Sequence, residues 1–147
     1  MSDILAKHTL TVYNAVMEGL PPFPPSETWK RTIIKFGQWE DSADRNGAQD
    51  GRTFIDKHIN IIIPKNANMQ GKKYILSNDY ERLSADQKNK YWTLKINKDY
   101  IAFGETPDIT SSFTITNLSS QYRACLVKAI EDFLIQPILP HLEVVGI

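Results

Sequence analysis

The sequence is short of the residues that most often carry chemistry. It has a single cysteine, Cys125. One cysteine cannot close an internal disulfide, so an oxidising compartment is not required. Cys125 reads instead as a small buried apolar side chain. The three histidines, His8, His58 and His141, are scattered without zinc-ligand spacing. There is no glycine-rich phosphate loop and no Gly-x-Ser-x-Gly elbow. An excess of one charge is missing too: 17 Lys and Arg balance 17 Asp and Glu, with no basic run. That balance gives no overall pull toward DNA, RNA or anionic lipid. No window approaches the ~20 apolar residues of a membrane helix. The opening "MSDILAKHTLTVYNAVM" lacks the basic segment and clean apolar run of a secretion signal. The expectation is a soluble protein of the cytoplasm, with no membrane partner, no metal and no cofactor.

What is present is enough apolar material for one domain over residues 1–147. Hydrophobic residues make up 41% of the chain, which excludes a disordered composition and supports a real core. Thr9–Val16 begins with alternating Leu10 and Val12 and predicts a strand, after a short helical or loose start. Gly19–Glu27 holds four prolines within residues 21–25 and predicts a stiff, extended connector. Thr28–Asp41 mixes apolar and polar residues on both alternating faces, which predicts a strand covered on both sides with a bend near Gly37. Thr53–Pro64 is the clearest strand, with Ile59, Ile61 and Ile63 on one face.

Between them, Asp41–Gly51 carries the turn signals Asn46-Gly47 and Asp50-Gly51 and predicts a solvated hairpin loop. A calcium loop would use Ser42, Asp44 and Asn46, but its closing position holds Thr53 where a glutamate is needed. Asp56 and His58 share a strand face, yet no nucleophile or third group completes a triad. An enzyme would require titratable groups such as Asp56, His58 and His141 to converge in a pocket. No residue earns a catalytic, metal or cofactor role, and the expectation is a protein that is not an enzyme.

Further on, Ser77–Lys90 predicts two short helical turns, with capping-box spacing at Asn78/Glu81 and Ser84/Gln87. Lys90–Glu105 predicts two strands joined by a turn at Asn97-Lys98-Asp99. Phe113–Thr116 predicts a short strand. The last third stays open between a helix over 119–134, slightly favoured by periodicity, and strands at Ala124–Ile130 and His141–Val145. Five to seven short strands with polar turns make a mainly β single domain, a small barrel or sandwich. Long loops at Asp41–Arg52 and Lys65–Lys72 would connect it. Trp29, Trp39 and Trp92 suit packing; as base-stacking platforms for single-stranded nucleic acid they would need a cationic face that the charge balance does not favour.

Several segments together resemble a family of short uncharacterised proteins encoded among the head and neck genes of tailed phages and prophages of Gram-positive bacteria. They are "TLTVYN", "WKRTIIKFGQWED", "INIIIP", "SNDYERLSADQKNKYWTLKINKDYIAFGE", "FTITNL" and "HLEVVGI", in that order over most of the chain. The most specific piece is "YWTL" followed by Asp99 and "IAFG". Similar proteins often carry Gly-Asp where this chain has Lys98-Asp99. They tend to end in His-Trp-Glu-Val-Gly, where this one reads His141-Leu142-Glu143-Val144-Val145-Gly146. The resemblance implies a virion structural protein of the neck, of head-closure or head–tail connector type. It would be a small β-barrel forming a ring with copies of itself, against a portal or adaptor protein on one side and a tail-terminator or tail-tube protein on the other. DNA would pass through without specific binding. The resemblance also implies strands in the last third. A tail-completion or minor capsid protein of the same particle is the neighbouring reading; a small nucleic-acid- or ligand-binding barrel is the reading from a different class.

Overall fold

Alternation of apolar and polar residues sends every second side chain of a strand to the same side, and six strands here turn that side inward. A computed structural model describes the backbone of residues 7–18, 26–47 and 53–147, and their side chains except at 18, 42–47 and 53–57. Within these residues the strands are β1 (His8–Glu18), β2 (Ser26–Gly47), β3 (Thr53–Pro64), β4 (Lys73–Tyr74), β5 (Tyr91–Trp92), β6 (Tyr100–Phe103), β7 (Ala124–Asp132) and β8 (His141–Gly146). Three short helices are α1 (Ser77–Glu81), α2 (Ala85–Lys88) and α3 (Ile115–Gln121). The order β1-β2-β3-β8-β7-β6 closes into a barrel. All five neighbouring pairs and the closing β1–β6 pair are antiparallel. The mainly β single domain expected from the sequence is therefore the fold, with one more strand than the upper end of the expected range among the described residues.

Strand β2 serves both halves of the barrel. Its first part pairs with β1 and its second with β3. The bend between them falls at Phe36, whose φ of 71° is left-handed, next to Gly37. A Cβ on Gly37 would sit 2.6 Å from Leu10 Cδ1, so a larger residue there would have to displace the buried Leu10 side chain. The inward set includes Leu10, Val12, Ile34, Ile61, Ile63, Ile101, Cys125, Val127, Leu142 and Val144, packed with Trp39, Trp92 and Leu94. A second, smaller cluster lies on the other face of β1. There Tyr13, Ala102 and Leu118 are fully buried beneath Trp29, Ile109, Phe113 and Ile115. This explains why β1 and the start of β2 carry apolar residues on both faces.

Several expectations need correction. Lys90–Glu105 does form a turn at Asn97, but its arms are not partners. β5 pairs in parallel with β4, and β6 enters the barrel between β1 and β7. Phe113–Thr116 is not a strand. Thr114 caps α3 in a reciprocal capping box with Asn117, and Ile115 and Leu118 turn toward Tyr13. Residues 124–132 are a strand rather than part of a helix over 119–134, because Cys125 and Val127 are needed at period two inside the barrel. The loop expected over Asp41–Arg52 is mostly ladder, since β2 runs to Gly47 and β3 starts at Thr53. Ser84 and Gln87 make the expected capping box, whereas α1 begins after Leu76 with no side-chain cap at all. The helical start before His8 and the proline cluster at 21–25 lie outside the described residues, and Ser26 and Glu27 already belong to β2.

Closure depends on one buried carboxylate. The β1–β6 ladder covers only Leu10–Tyr13, facing Phe103–Tyr100. Beyond it, Asp99 replaces the missing strand. Its Oδ1 accepts from Ala15 N at 2.9 Å, and its Oδ2 accepts from Asn14 Nδ2 at 2.8 Å and Lys95 N at 2.9 Å. Asn14 imitates a ladder partner in turn, donating to Thr93 O and accepting from Thr93 N. The Asp99 backbone carbonyl accepts from Val127 N at 2.9 Å, which ties the same residue to β7. Asp99 and Asn14 are both buried. Burial pushes the Asp99 carboxyl up, against the opposing pull of these donors and of the Lys95 charge. Asp99→Ala would strand two backbone donors and one amide, each costing about 1–3 kcal/mol when buried and unpaired. The expected loss is about 3–5 kcal/mol, with a smaller loss for Asp99→Asn; chemical denaturation of the two variants measures it.

Candidate interaction surface

The residues that might have formed an active centre are not brought together. His58 pairs in register with Ser42, while His141 pairs with Pro64, six positions further along β3. Asp56 sits opposite Asp44 in the ladder, and its side chain is outside the described set. Ser42, Asp44 and Asn46 lie on an extended strand, spread over about 14 Å at ~3.4 Å per residue, so their backbone does not wrap a calcium ion. Among the described residues no group of three or more His, Cys, Asp or Glu is placed to hold a metal. Cys125 is sealed inside the barrel and burial pushes its thiol up to about 12. Trp39 and Trp92 are core residues, and Trp29 packs edge-on against Tyr100 outside the barrel. The three rings therefore do not form one open stacking face.

The feature that stands out is the β7–β8 connection, "FLIQPILP", from Phe133 to Pro140. It contains no charge. Ile135 is 97% exposed, Ile138 77% and Leu139 65%. Two prolines stop it from continuing either ladder. Its base is fixed. Phe133 N donates to His141 O at 2.9 Å and His141 N to Phe133 O at 3.3 Å. Lys65 N donates to Pro140 O at 2.9 Å, joining the loop to the end of β3. Leu134 turns back onto the core. The result is an apolar tip on a rigid base, beside a cavity of about 540 Å³ lined by Ile62, Pro64, Leu139, Pro140 and His141. Large exposed apolar side chains gathered in one loop make it a candidate docking surface. Burying each one fully is worth about 1.5–3 kcal/mol before the costs of association. Sequence reasoning passed over this loop. Its signal was an eight-residue stretch without charge holding two prolines.

His141 controls the tip's geometry. Its ring stacks on Phe133 with centroids 5.1 Å apart. Nδ1 meets the Leu139 carbonyl at 2.6 Å and Nε2 meets Glu143 Oε1 at 3.1 Å. Leu139 has a left-handed φ of 50°, a conformation that costs a non-glycine residue roughly 1–2 kcal/mol. Both ring nitrogens face acceptors, and a neutral imidazole can donate from only one. The Leu139 carbonyl, followed by Glu143, therefore raises the His141 pKa above its ordinary 6.5. A raised histidine contributes its full stabilisation below the unfolded value of 6.5, and loses it as pH climbs through the folded value. The β7–β8 loop is expected to exchange its amide protons faster above that value than at pH 6, after correction for intrinsic rates. His141→Gln should abolish the difference; hydrogen exchange read by NMR checks both.

The described residues thus form a closed, mainly β barrel whose most exposed apolar side chains include a group in one loop. By sequence the chain belongs to a family of unknown function (DUF6751), whose pattern matches residues 5–147. No curated protein and no solved structure matches the chain. Among the described residues no helix is long and apolar enough to cross a membrane.

Proposed function

We propose that the protein is a structural subunit of the neck of a tailed phage particle, of the head-closure or head–tail connector type. In that role it would form a ring with its own copies between the portal or adaptor and the tail, within the virion. The observation that carries this reading is the uncharged tip Phe133–Pro140, held on a rigid barrel. A ring subunit needs a stiff body and loops that reach neighbours, and it needs no reacting group. Resemblance of the segments from "TLTVYN" to "HLEVVGI" supports the same assignment. The even charge balance suits a wall past which DNA moves without being gripped.

Deleting the gene from a phage that carries it tests the proposal. Electron microscopy of the lysate is expected to find separate tails beside emptied or DNA-leaking heads. Intact, DNA-filled virions in normal yield would overturn it.

A further inference from the structure

The barrel's outer wall carries a receptacle whose shape and charge answer the tip. On β2, β3, β8 and β7 the outward residues form a shallow cavity of about 340 Å³. Apolar Ile62, Ala129 and Val145 line it, together with the carboxylates Glu40, Glu131 and Glu143. Glu131 and Glu143 are direct cross-strand partners. Like charges placed opposite one another destabilise a sheet. Glu143 has His141 beside it, but Glu131 makes no ion pair among the described residues. The base of the tip, where Asp132 accepts from Leu134 N, also holds cations. Lys65 and Lys73 are exposed, and neither has an acidic partner among the described residues. One chain thus presents an apolar projection with cations at its base and an apolar hollow bordered by anions.

The geometry points to a second copy of this chain as the occupant. The tip residues Ile135, Ile138 and Leu139 of one subunit enter the hollow over Ile62, Ala129 and Val145 of the next, and Lys65 faces Glu131. Projection and hollow adjoin at Ile62 and at the His141–Glu143 contact, but the residues that meet in this contact differ on the two sides, so it is heterologous, and repeating it gives a ring or an open filament. In this contact subunits meet through side chains rather than by extending a ladder. The inference rests on the reading of the chain as an assembly subunit, and it assigns the surface by which copies meet.

Sedimentation velocity on the purified full chain, up to millimolar concentration, tests it. The wild-type chain is expected to associate. Ile138→Ser, an exposed change that leaves the core intact, should weaken association at least tenfold with an unchanged melting temperature. Lys65→Glu alone and Glu131→Lys alone should each weaken it by about tenfold. Mixing these two single variants, or combining both changes in one chain, should restore it, because each junction again pairs unlike charges. A merely structural role for either residue predicts no rescue. A wild-type chain that stays monomeric overturns the inference, as does association that none of these substitutions weakens, or loss that the paired variants do not restore. Failure here together with detached tails in the deletion phage would remove the surface and leave the neck assignment standing; intact virions would remove that assignment itself.

Discussion

The barrel closes on the Asp99 carboxylate. Four of its six seams are ladders between longer strands, but β6, which makes the other two, has only four residues and runs out at Tyr100 while β1 continues to Glu18. The open flank of β1 would expose buried backbone donors, each expensive if left unpaired. Asp99 and Asn14 meet that demand with side chains. Lys95 adds a third tie. Its ammonium bonds the Ala15 carbonyl, pairs with Glu81 at 2.9 Å and lies over the Tyr80 ring. Helix α1, the Asn97 turn, β1 and β7 are thereby joined at one end of the barrel, where the chain returns from its helical excursion.

This arrangement separates the network that closes the barrel from the exposed tip. The network around Asp99 is buried, polar and fully directed toward the chain's own backbone. The tip at Phe133–Pro140 is exposed and apolar, and its own ties to the fold are at its base. Substitutions of the exposed Ile135 and Ile138 therefore leave the core untouched, and substitutions in the network act on the whole fold. The outer cluster around Tyr13 contributes in the same way as the core. Tyr13 Oη bonds Thr106 and Pro107, and Arg31 reaches Thr106 O and Asp108, so the long segment from Gly104 to Phe113 is fastened over β1.

Much of the fold was legible in the sequence, and for physical reasons. Ile59, Ile61 and Ile63 of β3 and Leu10 and Val12 of β1 recur at period two because their inward faces meet one core. The bend at Gly37 was visible because glycine interrupts an otherwise continuous strand. Ser84 and Gln87 announced α2 by reciprocal capping. What misled was local pattern overridden by distant contacts. Leu126, Ile130 and Phe133 fit a helical face, but the places waiting for Cys125 and Val127 lie inside a barrel built by residues far away in sequence. Phe113 and Ile115 alternate like a strand, yet Thr114 and Asn117 satisfy the first donors of a helix. The turn at Asn97 was read correctly, while the pairing of its arms was not, since no short-range signal told Asp99 to seek Ala15. The candidate surface was nearly invisible. Exposed and buried apolar residues look alike in a sequence, and "FLIQPILP" became distinctive only once its side chains were seen to lack a core.

The close approach of β7 and β8 has one more consequence. A Cβ on Gly146 would stand 2.3 Å from Cys125 Sγ, so the sulfur of the single cysteine fills the space that a larger residue would occupy. Cys125 is 1% exposed, and its pushed-up pKa leaves almost no thiolate at neutral pH. The thiol is therefore silent toward oxidants and alkylating reagents in the closed molecule, and reactive only when β7 and β8 part. Its modification rate is a built-in clock for how often the barrel opens.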